Sequence, residues 1–111
     1  MGPWTTAEIE SARGVPFYVL LKFLGAYCKV DREYRSTSSA ESIRVHVNYA
    51  GRDFRFVFTG EKWVNELLSP VQRARGGAGS IDLAAHLTGL DFVRCVKICI
   101  DALNDSLLKI S

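Results

Sequence analysis

The clearest pattern in the chain is a strict alternation over residues 43–49, Ile-Arg-Val-His-Val-Asn-Tyr, in which every second residue is apolar. A period of two is what a half-buried strand requires, because successive side chains point to opposite faces. Ala50-Gly51-Arg52-Asp53 follows as a turn, and residues 54–58 resume the alternation with three Phe on one face. Two such runs around a short Gly-containing turn predict an antiparallel hairpin. Its buried face would hold Ile43, Val45, Val47, Tyr49, Phe54, Phe56 and Phe58, and its other face Arg44, His46, Asn48 and Arg55. Thr59-Gly60 predicts another turn, and Lys62-Trp63-Val64 a short third strand.

Helical spacing flanks this hairpin. Thr6, with Glu8 and Glu10 in the first turn, predicts a helix start. Pro16 suits the first position of a second helix carrying Phe17, Leu20, Leu21 and Leu24, and Gly25 suits its left-handed cap. Ser80 or Asp82 opens a later helix that Gly89 stops. Asp91 caps a last, amphipathic helix with the stripe Phe92, Cys95, Val96, Cys99, Leu103 and Leu107. Residues 31–41 read as a polar loop and residues 65–80 as irregular. The expected fold is α+β: a small antiparallel sheet of about three strands, packed by N-terminal and C-terminal helices.

Composition narrows the class without naming a function. At 111 residues, 48% hydrophobic and 23% charged, the chain reads as one globular domain over residues 1–111, and not as a disordered segment. The longest apolar run, residues 15–24, is broken by Pro16 and Lys22, so no membrane span is expected. No basic-then-apolar leader opens the sequence, which makes the cytoplasm the expected location. Three cysteines make no disulfide framework, and Cys95 and Cys99 fall on the apolar stripe, where free Cys acts as a small hydrophobe.

Charge is small in sum but uneven. Residues 29–75 hold nine cations, seven of them Arg, against six acids, and the whole chain carries +2. Arg favours planar contacts to phosphate or carboxylate. Candidate nucleic-acid contacts are therefore Arg44 and Arg55 on the hairpin's outer face, with Arg73 and Arg75 beside Gly76 and Gly77. Those glycines let a backbone approach a phosphate ahead of a helix N-terminus, or they make a plain connector. Trp63 reads as a base-stacking platform or as core. His46 and His86, the two histidines, have no partner pattern that would make a general base. No nucleophile elbow, phosphate loop or metal-ligand spacing is present, so no catalysis and no cofactor are expected.

The segment Gly-Gly-Ala-Gly-Ser-Ile-Asp-Leu-Ala-Ala-His-Leu-Thr-Gly-Leu-Asp-Phe, residues 76–92, resembles a specific element of a known family. It is similar to the zinc-binding domain of bacterial and phage DNA primases and its zinc-free relatives in plasmid mobilisation proteins. Gly76, Gly77, Ile81, Asp82, Leu83, His86, Leu87, Gly89, Leu90, Asp91 and Phe92 carry the likeness, and the hairpin and Trp63 fit the strands that precede it. The broader likeness spans residues 16–103. The family's zinc ligands would fall near Tyr34-Arg35-Ser36-Thr37 and between Trp63 and Arg75, where this sequence has no Cys or His. The resemblance thus implies a zinc-free module that binds single-stranded DNA, or a replication or mobilisation protein such as a primase, helicase or relaxase. A protein-interaction or inhibitory subunit without DNA binding is the other reading. DNA binding through arginines and one aromatic would be nearly sequence-blind.

Overall fold

The computed structural model describes residues 3–34, 41–67 and 76–110. The fold is α+β, with four helices and one antiparallel sheet of five strands among the described residues. The described residues form two compact units. Residues 25–78 make the sheet, and residues 1–24 with 79–111 make the helical unit.

The sheet is a meander in the order β1-β2-β3-β4-β5, built from β1 (Tyr27–Asp31), β2 (Ile43–Tyr49), β3 (Arg52–Thr59), β4 (Lys62–Asn65) and β5 (Gly76–Ala78). The expected hairpin is β2–β3, with Val45 opposite Phe56 and Val47 opposite Phe54. Its turn is tighter than the four residues expected. Only Ala50 and Gly51 turn, both at positive φ (53° and 77°), as a two-residue hairpin loop matching the strand twist needs. Val45, Val47, Phe54, Phe56 and Phe58 are buried, but Ile43 is exposed and Tyr49 half-buried. Both lie at strand ends, where the alternation continues but the packing does not.

Five strands replace the expected three. β1 was hidden because its alternate residues Cys28 and Val30 are exposed, leaving no inside-outside contrast to read. It pairs along β2 from Tyr27 opposite Asn48 to Asp31 opposite Arg44. β5, Gly-Gly-Ala, has low intrinsic strand preference. It is a strand because β4 supplies a partner, and Gly76 permits the pairing: a Cβ there would lie 2.6 Å from the Trp63 carbonyl oxygen.

In the helical unit, α1 (Thr6–Arg13) is capped by Thr5 rather than Thr6. The Thr5 hydroxyl accepts from the Glu8 N–H, and the Glu8 carboxylate accepts from the Thr5 N–H, a reciprocal capping box. α2 (Phe17–Phe23) follows Pro16 and ends before Gly25, which takes φ +74°. α3 (Gly79–Thr88) ends at Gly89 (φ +73°), and the Asp91 carboxylate accepts from the Arg94 N–H at the start of α4 (Phe92–Ile110). Two side chains tie distant segments of this unit: the Ser80 hydroxyl donates to the Val15 carbonyl, and the Trp4 indole donates to the Val93 carbonyl (3.0 Å). The buried stripe of α4 is Cys95, Val96, Cys99 and Ala102. Phe92 and Leu107, expected on it, are about half exposed at 47% and 57%, so the stripe is narrower and shifted toward Ala102.

Burial pushes the Cys99 thiol up to about 12 from 9.0, with the neighbouring Cys95 adding to the shift. The folded protein therefore keeps a proton that the unfolded chain releases. This contribution to stability is complete below about pH 9 and is lost progressively as pH rises toward 12. Urea midpoints across that range should fall more steeply for wild type than for Cys99→Ala. Parallel pH profiles would contradict the burial of this thiol.

Candidate nucleic-acid interface

Strand register decides which side chains share the outward face of the sheet. Because Val45, Val47, Phe54, Phe56 and Phe58 point inward, Arg44, His46 and Asn48 of β2 and Asp53, Arg55 and Val57 of β3 point outward. Pairing with β1 adds Tyr27 (opposite Asn48), Lys29 (opposite His46) and Asp31 (opposite Arg44) to the same face. Lys29, His46 and Arg55 thus form one basic row running straight across three strands.

The arginines of this face are met by carboxylates. These belong to Asp31 and Glu66. Arg44 Nη1 lies 3.4 Å from Asp31 Oδ2, and Arg44 Nε lies 3.0 Å from Glu66 Oε1. Arg55 Nε donates to the same Glu66 oxygen at 3.1 Å, and His46 Nε2 is 3.8 Å from Asp31 Oδ2. Glu66 is held in place by the end of β4: its N–H donates to the Arg55 carbonyl (2.8 Å). The buried Asn65 side chain accepts from the Arg55 and Leu67 N–H groups (3.3 and 3.0 Å). The Glu33 N–H, bonded to Asp31 Oδ1 at 3.1 Å, is the main influence holding that carboxyl below its usual range. Burial opposes this, and Arg44 and His46 reinforce it. The Tyr34 ring covers Arg44, whose guanidinium carbon is 4.3 Å from the ring centroid.

The sequence-predicted contacts divide. Arg44 and Arg55 stand together on this face, each in an ion pair. Trp63, one of the two readings of which was a stacking platform, is 2% exposed, with its ring edge-on to Phe56 at 5.7 Å. It offers no free face to a base. Gly76 and Gly77 lie within β5, paired with Val64 and Trp63, and the small size of Gly76 serves backbone-to-backbone approach there. Arg73 and Arg75 lie outside the described residues, as do residues 35–37 and 68–75, most of the two stretches where the family's zinc ligands would fall. Among the described residues, no group of three or more His, Cys, Asp or Glu is placed to hold a metal ion.

Sequence reasoning missed Tyr27, Lys29 and Glu66. The first two sit on the unread strand β1. Tyr27 is 70% exposed, an aromatic ring on an open, partly cationic sheet face. Beside it a shallow depression is lined by Lys29, Val30, Asp31, Arg32, Glu33 and His46. Open sheet faces with aromatics and cations suit single strands, whose bases stack on rings while phosphates meet the charges. Among the described residues no helix is long and apolar enough to cross a membrane. No protein-family model, curated protein or solved structure matches the chain.

Proposed function

We infer that the chain is a non-catalytic module that binds single-stranded DNA on the outer face of its sheet, as an accessory to replication or plasmid mobilisation. The observation that carries this reading is the shared outward face of Lys29, His46 and Arg55 with the exposed Tyr27 ring. The resemblance of residues 76–92 to zinc-free relatives of the primase zinc-binding domain supports the replication or mobilisation setting. The cations would give up part of their pairing with Asp31 and Glu66 to meet phosphates, which keeps affinity weak to moderate. A primase, helicase or relaxase is the class of protein such a module would work beside.

A second reading, as a protein-interaction or inhibitory subunit, has its own observation. A groove of about 240 Å³ runs between α2 and α4, bordered by the exposed Tyr18 and Phe23 and by Lys22, Ala102 and Asp105. Titration of a fluorescent single-stranded oligonucleotide at several salt concentrations separates the two. Three phosphate contacts, by Lys29, Arg44 and Arg55, would give a slope of log affinity against log salt near roughly −2, at about −0.7 per contact. Absence of binding at low salt would overturn the DNA reading in favour of the second.

A further inference from the structure

β1 forms one edge of the sheet: among the described residues it pairs only with β2, and Tyr27, Cys28, Lys29 and Val30 are all exposed. We propose that this edge is a dimer interface, at which β1 pairs antiparallel with β1 of a second copy of this chain so that Cys28 faces its own counterpart. The proposal goes beyond the DNA-binding reading and does not depend on it.

The register of the sheet decides which backbone groups the edge offers. A two-residue hairpin loop makes its flanking residues, Tyr49 and Arg52, a hydrogen-bonded pair. Bonding direction alternates along a strand, so Tyr49, Val47 and Val45 bond to β3, and Asn48, His46 and Arg44 to β1. Arg55 confirms the phase. It stands opposite His46, and on the side away from β2 its N–H donates to the Asn65 side chain and its carbonyl accepts from the Glu66 N–H. On β1, therefore, Tyr27, Lys29 and Asp31 bond to β2, and the N–H and C=O groups of Cys28 and Val30 face the open edge.

Unpaired edge groups beside exposed apolar side chains are a template for another strand. The charge on β1 selects the register. Centred on Lys29, a two-fold pairing would set Lys29 against Lys29 in the closely spaced, non-hydrogen-bonded position, which is destabilising. Centred on Val30, it would run out of strand, since β1 ends at Asp31. Centred on Cys28, it sets Lys29 of each copy against the Tyr27 ring of the other, a cation beside an aromatic. The other edge, β5, has three residues. Pairing β1 with β5 of the next copy would leave a new edge at every step and build an open chain, whereas β1 with β1 closes. The two-fold axis then stands perpendicular to the sheet, so the outward faces of both copies lie on the same side.

Sedimentation velocity of the full chain over a range of concentrations, with a reductant and without DNA, tests the pairing. Wild type should pass from one to two copies per particle. Cys28→Lys and Cys28→Asp each set like charges face to face at the centre and should weaken self-association about tenfold or more. An equimolar mixture of the two should recover the dimer, because only the register centred on Cys28 sets position 28 against itself. Val30→Pro removes an N–H that faces the open edge and spares the donors of the β1–β2 ladder, so it should give a monomer with its sheet intact. Position 28 is exposed, so the Cys28 variants should keep the wild-type circular dichroism, and they carry the test if Val30→Pro melts early. Single copies at every concentration, or particles that grow beyond two copies, would overturn the β1–β1 pairing. A dimer that survives both Cys28 changes would overturn it as well. Monomeric Cys28 variants whose mixture stays monomeric would overturn the register centred on Cys28.

Discussion

Phe56→Ala is expected to cost about 3–5 kcal/mol of folding stability, the range for truncating a fully buried Phe. Phe56 has no exposed surface. Its ring stacks between Phe54 and Phe58, at 5.5 and 5.6 Å, and takes the edge of Trp63 at 5.7 Å. Truncation therefore removes the centre of a four-ring cluster, and rings fixed by neighbouring strands have little freedom to close the gap. Since domains are commonly stable by only about 5–15 kcal/mol, this one change should remove a large share of the total. Urea denaturation measures it. A loss under about 1 kcal/mol would show that the cluster repacks freely or does not hold the sheet. Ile43→Ala, at a half-exposed position on the same side of the hairpin, should cost far less.

The second large effect is on binding. Replacing Lys29 and Arg55 together by Gln should make the salt slope shallower by roughly 1.4, two phosphate contacts at about 0.7 each. The fold should tolerate the change. Lys29 is exposed, and Glu66, deprived of Arg55, keeps Arg44 3.0 Å away. Arg44 is a poorer target because its loss strips a cation from both Asp31 and Glu66. A double variant with wild-type slope and unchanged melting would remove the basic row from the DNA interface.

The hairpin was legible from sequence because side chains alternate between a buried and a wet face, and that contrast is local. From Val45, Val47, Phe54, Phe56 and Phe58 the inward face could be read, and with it the outward position of Arg44 and Arg55. β1 and β5 were not legible for opposite reasons. Tyr27, Cys28, Lys29 and Val30 are all exposed, so composition carries no sidedness. Gly76 and Gly77 have no side chain to show it, and the role of Gly76 emerges only from the Trp63 carbonyl that a Cβ would strike. The candidate site depends on the same long-range pairing. That Lys29 stands beside His46, or Tyr27 beside Asn48, is a fact of strand register between segments separated by a polar stretch. Glu66 could not be assigned either, because its place follows from the end of β4 and the buried Asn65 side chain.

The helical unit is discontinuous in sequence, its two parts separated by the whole of the sheet, residues 25–78. This has a kinetic consequence. Every strand of the meander pairs with its neighbour in the chain, across connections of two residues at β2–β3 and β3–β4 and of 10 or 11 at the other two, all far shorter than the span the helices must close. The helical unit must instead close a loop of 54 residues, an entropic cost of about 3.5 kcal/mol from the logarithm of loop length. Contacts between near neighbours form faster than those that close long loops. The sheet should therefore acquire structure first and in effect shorten the loop that the helices have to close. Each unit contains one tryptophan, Trp4 in the helical part and Trp63 in the sheet. In stopped-flow refolding of a Trp4→Phe variant, the remaining Trp63 signal should precede the appearance of helical circular dichroism; coincident traces would show the two units folding in a single step.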